Sequence, residues 1–152
     1  QHVAESASTF DEVEISSKLW TLVQPKSSAN AHLVLKGIEV SHGHAESMVF
    51  ALTLRKAFFV EALDIGDLAV LFDLLENSDL NDKLIKQTIS NGTAIASLMS
   101  DYQVAKRLSI KGSPSYVLDK GRQTLYGNVG YRVLHANIEE LLKKPANEAS
   151  WC

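Results

Sequence analysis

The sequence predicts an α+β protein in which five or six helices precede a β-hairpin and a closing helix. Three observations carry this. From Ser27 to Ser109, segments with apolar residues at helical spacing succeed one another, each bounded by capping or breaking residues. Ser115 to Asp119 and Gln123 to Tyr126 are short β-rich runs joined by Asp119-Lys120-Gly121-Arg122, a tight-turn sequence in which Gly121 is free to take positive φ. Tyr131 to Lys143 then returns to helical spacing through Val133, Leu134, Ile138, Leu141 and Leu142. Helices are thereby segregated from a small antiparallel unit.

Taken in order, Gln1 to Thr9 is a weak helical run. Phe10 to Ile15 alternates like extended backbone, and Ser16 to Trp20 opens a short helical turn as an alternative. Pro25 stops what precedes it, and Ser27 or Ser28 caps a helix through Val40 with Ala31, Leu35 and Ile38 on one face. Ser41-His42-Gly43-His44 reads as a connection. A strongly apolar helix follows from Glu46 to Val60, containing Phe50, Leu54, Ala57 and Phe58. Asp64 or Asp67 caps the next, Leu68 to Asn77, whose Leu, Val and Phe content implies burial on most sides. Asp79 to Asp82 begins another, with Leu84, Ile85 and Ile89 inward, and Asn91-Gly92 ends it. Thr93 starts the last helix before the hairpin, with Ile95, Leu98, Met99, Tyr102, Ala105 and Leu108 on its buried side.

At 152 residues and 45% hydrophobic content the chain is long enough for one domain with a real core. Its net charge of -3, with both signs dispersed, gives no basic stripe and excludes nucleic acid as a partner class. No apolar run approaches the roughly 20 residues of a bilayer span, and no charged-then-apolar signal peptide opens the chain. A soluble, cytoplasmic protein without a membrane partner is expected. Cys152 is the single cysteine, which excludes an internal disulfide and an internal dithiol cycle.

The hairpin is marginal by itself, because two strands leave two unpaired edges. Tyr116 and Leu118 lie on one face of the first strand and Ser115 and Val117 on the other, and both faces carry apolar residues. Central strands of a larger sheet are therefore expected. The remaining strands would come from a second copy of the chain, through edge pairing or domain exchange, or from a separate N-terminal fragment.

A β-β-α order with a proline at the first strand's entrance resembles the C-terminal half of a thioredoxin fold. The run GSPSYVLDKGRQTLYGNVGYRVLHANIEELL is similar to the DsbA-like family, which includes FrnE-like dithiol oxidoreductases and 2-hydroxychromene-2-carboxylate isomerases, with kappa-class glutathione transferases as relatives. FDEVEI, PKSSANAHLVLKG, RKAFFVEALDI and the closing EASWC also resemble that family. The resemblance implies a helical insertion over residues 1–110 and an incomplete thioredoxin-like β-β-α half over 111–152. It departs at one point. The family's first strand and helix carry Cys-x-x-Cys or, in the isomerase and kappa branches, a Ser, and this chain has neither. It is expected to begin inside the family pattern, and to be inactive without the missing part.

Several site residues follow from the resemblance. Gly112, Ser113 and Pro114 form the loop that faces the family's catalytic residue and offers its backbone to a bound peptide or glutathione, as an added strand pairs. A loop holds an X-Pro bond cis for only about 0.5–1 kcal/mol. An ordinary trans proline at a strand entrance is the plainer alternative. Gly127 to Arg132 precedes a helix, and Asn128, Tyr131 and Arg132 are candidates to hold a glutathione carboxylate, against a plain helix cap. Cys152 beside Trp151 is a candidate mobile redox thiol, against an inert tail. His42 and His44 read as solvated loop residues, His32 and His135 as helix-face residues, and the charges from Asp79 to Lys86 as a solvated helix face, so no metal is expected.

The expected function is part of a DsbA-like thiol-disulfide oxidoreductase acting on a protein or small-molecule thiol or disulfide, its catalytic half absent from this chain. The alternatives are a glutathione-dependent isomerase or transferase, with glutathione as the cofactor, and a non-catalytic binding or assembly module.

Overall fold

The computed structural model describes Glu5, Ala7, Ser8, Phe10 and residues 14–143. Among these, the elements are α1 (Leu19–Leu22), α2 (Ala29–His42), α3 (His44–Phe59), α4 (Leu68–Glu76), α5 (Asp82–Ser90), α6 (Thr93–Arg107), β1 (Ser115–Leu118), β2 (Gln123–Tyr126) and α7 (Tyr131–Leu142). The α+β class expected from the sequence is the one adopted. The chain packs as two compact units that divide between Ser100 and Asp101. The readings for 1–9 and 10–15 fall largely outside the described residues.

In the first unit α2 is the hub, packing against α3, α4 and α5. Ala31, Val34 and Ile38 recur at three- and four-residue intervals, which places them on one stripe of the helix. They meet Phe50 and Leu54 of α3, Leu71 and Leu75 of α4 and Ile85 of α5 in one buried cluster. Val34, Ile38, Leu71, Leu75 and Ile85 are fully inaccessible, and each such side chain contributes about 1.5–3 kcal/mol. Gly37 sets the spacing of α2 and α5, because a Cβ there would lie 3.2 Å from Thr88 Oγ1 and 3.3 Å from Ile85 Cγ2. A second cluster joins Leu19 and Val23 to Phe58 at the end of α3, where Phe58 packs edge-on against both Trp20 and Phe59.

Polar side chains fix the helix starts. Ser27 Oγ accepts the Ala29 N–H, while Ser28, at the N-cap of α2, makes no such bond. Asp67 caps α4 by accepting from Ala69 N–H, and Asp64 accepts from Gly66 N–H in the turn before it. Asn81 caps α5 through Leu84 N–H, and Asn91 accepts from both the N–H and the hydroxyl of Thr93.

Five expectations are corrected. The connection from Ser41 to His44 is a single residue, Gly43 at φ 104°, with α2 running to His42 and α3 starting at His44. Only glycine accepts that φ readily, so the break is placed there. His42 is accordingly a bonded helix end: Asn81 N–H donates to its Nε2 at 3.3 Å, and its Nδ1 lies 2.7 Å from Ser41 Oγ. Leu84 is exposed, because its neighbour Ile85 takes the inward position of α5 and consecutive helical residues cannot share a face. In α6 the one buried residue is Ala94, with Ile95, Met99 and Tyr102 largely exposed, since no element that would cover that stripe lies among the described residues. Lys86, read as part of a solvated face, bridges Glu76 and Asp82 above the Phe72 ring.

In the second unit β1 and β2 pair antiparallel with Tyr116 opposite Leu125 and Leu118 opposite Gln123. The turn between them carries positive φ at Asp119 and Lys120 as well as at Gly121. The strand residues are half-buried except for Tyr126, which is exposed, and no described residue of 101–143 is fully buried. The sheet has two strands among the described residues.

Candidate functional site

The second unit builds its most distinctive surface where α6 hands over to β1. The helix closes in a Schellman arrangement, with Ile110 N–H donating to Ala105 C=O and Ser109 N–H to Lys106 C=O. Ser109 takes φ 53°, the left-handed position usually held by glycine. Its carbonyl accepts the Tyr126 hydroxyl at 2.8 Å, which fixes the end of β2 against the exit of α6. Lys111, Gly112 and Ser113 then lead into β1.

The Ser113–Pro114 peptide is cis. Pro114 has no N–H to give a ladder, but its carbonyl accepts from Gly127 N–H at 3.0 Å, extending the hairpin by one half-rung. Ser115 Oγ–H donates back to Gly112 C=O and closes the loop on itself. Among the described residues neither the N–H nor the C=O of Ser113 has a hydrogen-bond partner. Because paired and unpaired positions alternate along an antiparallel strand, the backbone groups of Ser115 and Val117 also face away from β2. Among the described residues, loop and strand together present one row of unpaired backbone groups.

Beside that row lies an open cleft of about 430 Å³ lined by Lys111, Gly112, Ser113, Pro114, Tyr126 and Gly127. A Cβ added at Gly112 or Gly127 would meet nothing within 4 Å, so the walls here are bare backbone. A ligand's main chain can approach such a wall closely. Tyr126 supplies an aromatic body and Lys111, among the described residues, the only charge.

The structure thus brings Gly112, Ser113 and Pro114 together with two groups that sequence reasoning had not assigned to the site, Lys111 and Tyr126. The ladder register, which puts Tyr126 beside the strand entrance, was the signal that could have found Tyr126. Asn128, Tyr131 and Arg132 do not line the cleft. Gly127 turns the chain at φ 76°, Val129 N–H donates to Gly127 C=O, and Gly130 begins α7 with no side chain capping it. Tyr131 is 76% exposed and stacks at a tilt on His135, and Arg132 points to solvent. Cys152 lies outside the described residues. Among those described, no three His, Cys, Asp or Glu side chains gather as a metal site requires, and no helix is long and apolar enough to cross a membrane.

A thioredoxin family model matches residues 2–133. No curated protein matches the chain. The match runs through the helices of the first unit, the proline-led strand and the hairpin to the start of α7, and the chain belongs to the thioredoxin family.

Proposed function

We propose that the chain is the substrate-side part of a DsbA-like thiol-disulfide oxidoreductase, in which the Gly112-Ser113-Pro114 loop holds an extended peptide while a reactive dithiol is supplied from outside residues 1–152. The observation that carries this reading is the unpartnered backbone of Ser113 beside an open cleft walled by glycines. An extended peptide pairs with such an edge through its own N–H and C=O groups, which gives affinity without demanding a sequence. Thioredoxin family membership supports thiol-disulfide exchange as the chemistry served.

In that chemistry a thiolate attacks one sulfur of the substrate disulfide, forms a mixed disulfide and expels the other sulfur as thiolate. The second thiolate of the dithiol then attacks the enzyme sulfur of the mixed disulfide, closing the protein disulfide and expelling the substrate's remaining sulfur as thiolate. Two electrons pass from the dithiol to the substrate, and the reverse sequence oxidises it. This chain's residues bind and orient. With Cys152 as its one thiol it supplies no dithiol.

Two measurements test the reading. Residues 1–152 alone should reduce insulin no faster than the dithiothreitol background, and catalysis at a rate typical of thioredoxins would overturn the placement of the dithiol. A disulfide-bonded peptide titrated into isotopically labelled chain should shift the amides of Gly112, Ser113, Tyr126 and Gly127. Shifts confined elsewhere would remove the cleft from the mechanism.

A glutathione-dependent isomerase or transferase is the second reading. It is favoured by the uncapped start of α7, where backbone N–H groups stand beside Arg132 and suit a carboxylate. Retention of the chain on immobilised glutathione, lost in Arg132→Gln, would support it over the first.

A further inference from the structure

We infer that Lys111 makes the cleft selective for extended peptide segments bearing a carboxylate. This rests on the peptide-holding reading above and adds the chemical class of the segment. Among the described residues Lys111 is the only charged side chain lining the cleft, it is exposed, and it has no ion-pair partner. An ammonium without a counter-charge, beside unpaired backbone groups that fix a ligand's main chain, attracts a side-chain or terminal carboxylate.

The sequence that carries it has an excess of the same sign. Residues 101–152 hold eight Lys and Arg against five Asp and Glu, whereas residues 1–100 hold seven against thirteen. The last turn of α6, immediately ahead of the cleft in the chain, contributes Lys106 and Arg107. Within several ångströms of an exposed surface such charges add to one potential, and an anionic segment is steered toward it while a cationic one is turned away. The main-chain pairing at Ser113 supplies affinity, and Lys111 supplies the preference. An acidic stretch of a protein and free glutathione both present this chemistry, an extended backbone with a carboxylate.

The test is a titration of labelled residues 1–152 with three probes: an acetylated, amidated hexapeptide carrying one Asp, its Asn counterpart, and glutathione. The Asp peptide should bind about two- to five-fold more tightly than the Asn peptide, the range of an exposed ion pair, and the gap should shrink as salt is added. Lys111→Gln should abolish the gap between the two peptides, and Lys111→Glu should reverse the preference. Lys111-dependent binding of glutathione would identify the free tripeptide as a natural source, and a silent glutathione beside a bound Asp peptide would identify a protein segment. Equal binding of the Asp and Asn peptides, or a preference that survives Lys111→Gln, overturns the role of Lys111 and leaves the peptide-holding cleft standing. If no probe shifts the amides of Gly112, Ser113, Tyr126 or Gly127, the cleft reading fails and this inference fails with it.

Discussion

The Lys86 ammonium donates to Glu76 Oε1 at 2.6 Å, joining α5 to the end of α4. It also reaches Asp82 Oδ2 at 3.0 Å, one turn back on its own helix, and stands 5.2 Å from the centre of the Phe72 ring. One cation therefore serves two carboxylates and an aromatic face.

This cluster gives stability a defined pH dependence. The hydrogen bond from Lys86 is the main reason Asp82 is held below the ordinary carboxylate value. Its contribution is complete above the unfolded carboxyl pKa and is lost as the pH falls through the lower folded one. Lys86 is held above the ordinary lysine value, first by Glu76 and then by Asp82. Its contribution is complete below the unfolded lysine pKa and is lost as the pH rises through the higher folded one. Lys86→Met should move the Asp82 titration upward, toward the ordinary carboxylate value, and flatten both limbs of the Tm-pH curve. A carboxyl-carbon NMR titration of Asp82 that is the same in both proteins would refute the assignment.

Gly37 and Ile85 make the second prediction. Gly37→Ala would gain about 1 kcal/mol of helix propensity, but its Cβ would press at 3.2–3.3 Å on Thr88 Oγ1, Ile85 Cγ2 and Ile89 Cγ1. Those atoms belong to a fully packed seam, where overpacking costs about 1–3 kcal/mol. The net expectation is a loss of up to about 2 kcal/mol in urea unfolding. A gain in stability would show that α5 moves aside freely.

How much of this was legible follows from what sequence patterns encode. The stripe Ala31, Val34 and Ile38 and the apolar run through Phe50 and Leu54 are local periodicities, so their helices were readable and their burial followed. The tight turn after Leu118 was readable from Gly121, yet Asp119 and Lys120 also took positive φ. That depends on how the loop closes onto the paired strands. His42 was misread because its partner, the amide of Asn81, lies 39 positions along the chain. The exposed stripe of α6 was misread for the opposite reason: Ile95, Met99 and Tyr102 keep helical spacing, but periodicity records that a face is apolar and not what covers it. At the cleft, Gly112, Ser113 and Pro114 were visible as a motif. Tyr126 entered through strand register and Lys111 through the shape of the loop, and neither is written in a local pattern.

The bonds around His42 fix its tautomer. A ring nitrogen that accepts Asn81 N–H must be unprotonated, so Nδ1 carries the proton and donates to Ser41 Oγ, whose own hydrogen goes to Gly37 C=O. Long-range nitrogen-proton correlation at neutral pH should show the Nδ1–H form. Finding the Nε2–H form would break the assigned chain of bonds.

Ser109 holds a left-handed conformation that disfavours residues with a Cβ by about 1–2 kcal/mol, part of which glycine returns through the entropy of the unfolded chain. Ser109→Gly should therefore raise stability by about 0.5–1 kcal/mol while keeping the carbonyl that accepts the Tyr126 hydroxyl. Tyr126→Phe removes that bond and should lower stability by about 0.5–1.5 kcal/mol, nearer the low end because the contact is exposed. If Ser109→Gly destabilises, the positive φ is held by contacts the serine side chain makes.

Gly112 separates folding from binding. An added Cβ there meets nothing within 4 Å and the residue does not need a positive φ, so Gly112→Ala should leave the unfolding free energy within the small range of a benign surface change, about 0.5 kcal/mol either way. The new methyl would nonetheless project from bare backbone in the wall of the peptide cleft, where a ligand's main chain has to come close. Peptide affinity should fall several-fold with the fold intact, and a bulkier Gly112→Val should deepen the loss in proportion to its volume. A variant that binds the disulfide-bonded peptide as well as the parent would mean that the ligand does not pass over Gly112, and a variant that unfolds would mean that the loop is packed more tightly than its open surroundings indicate.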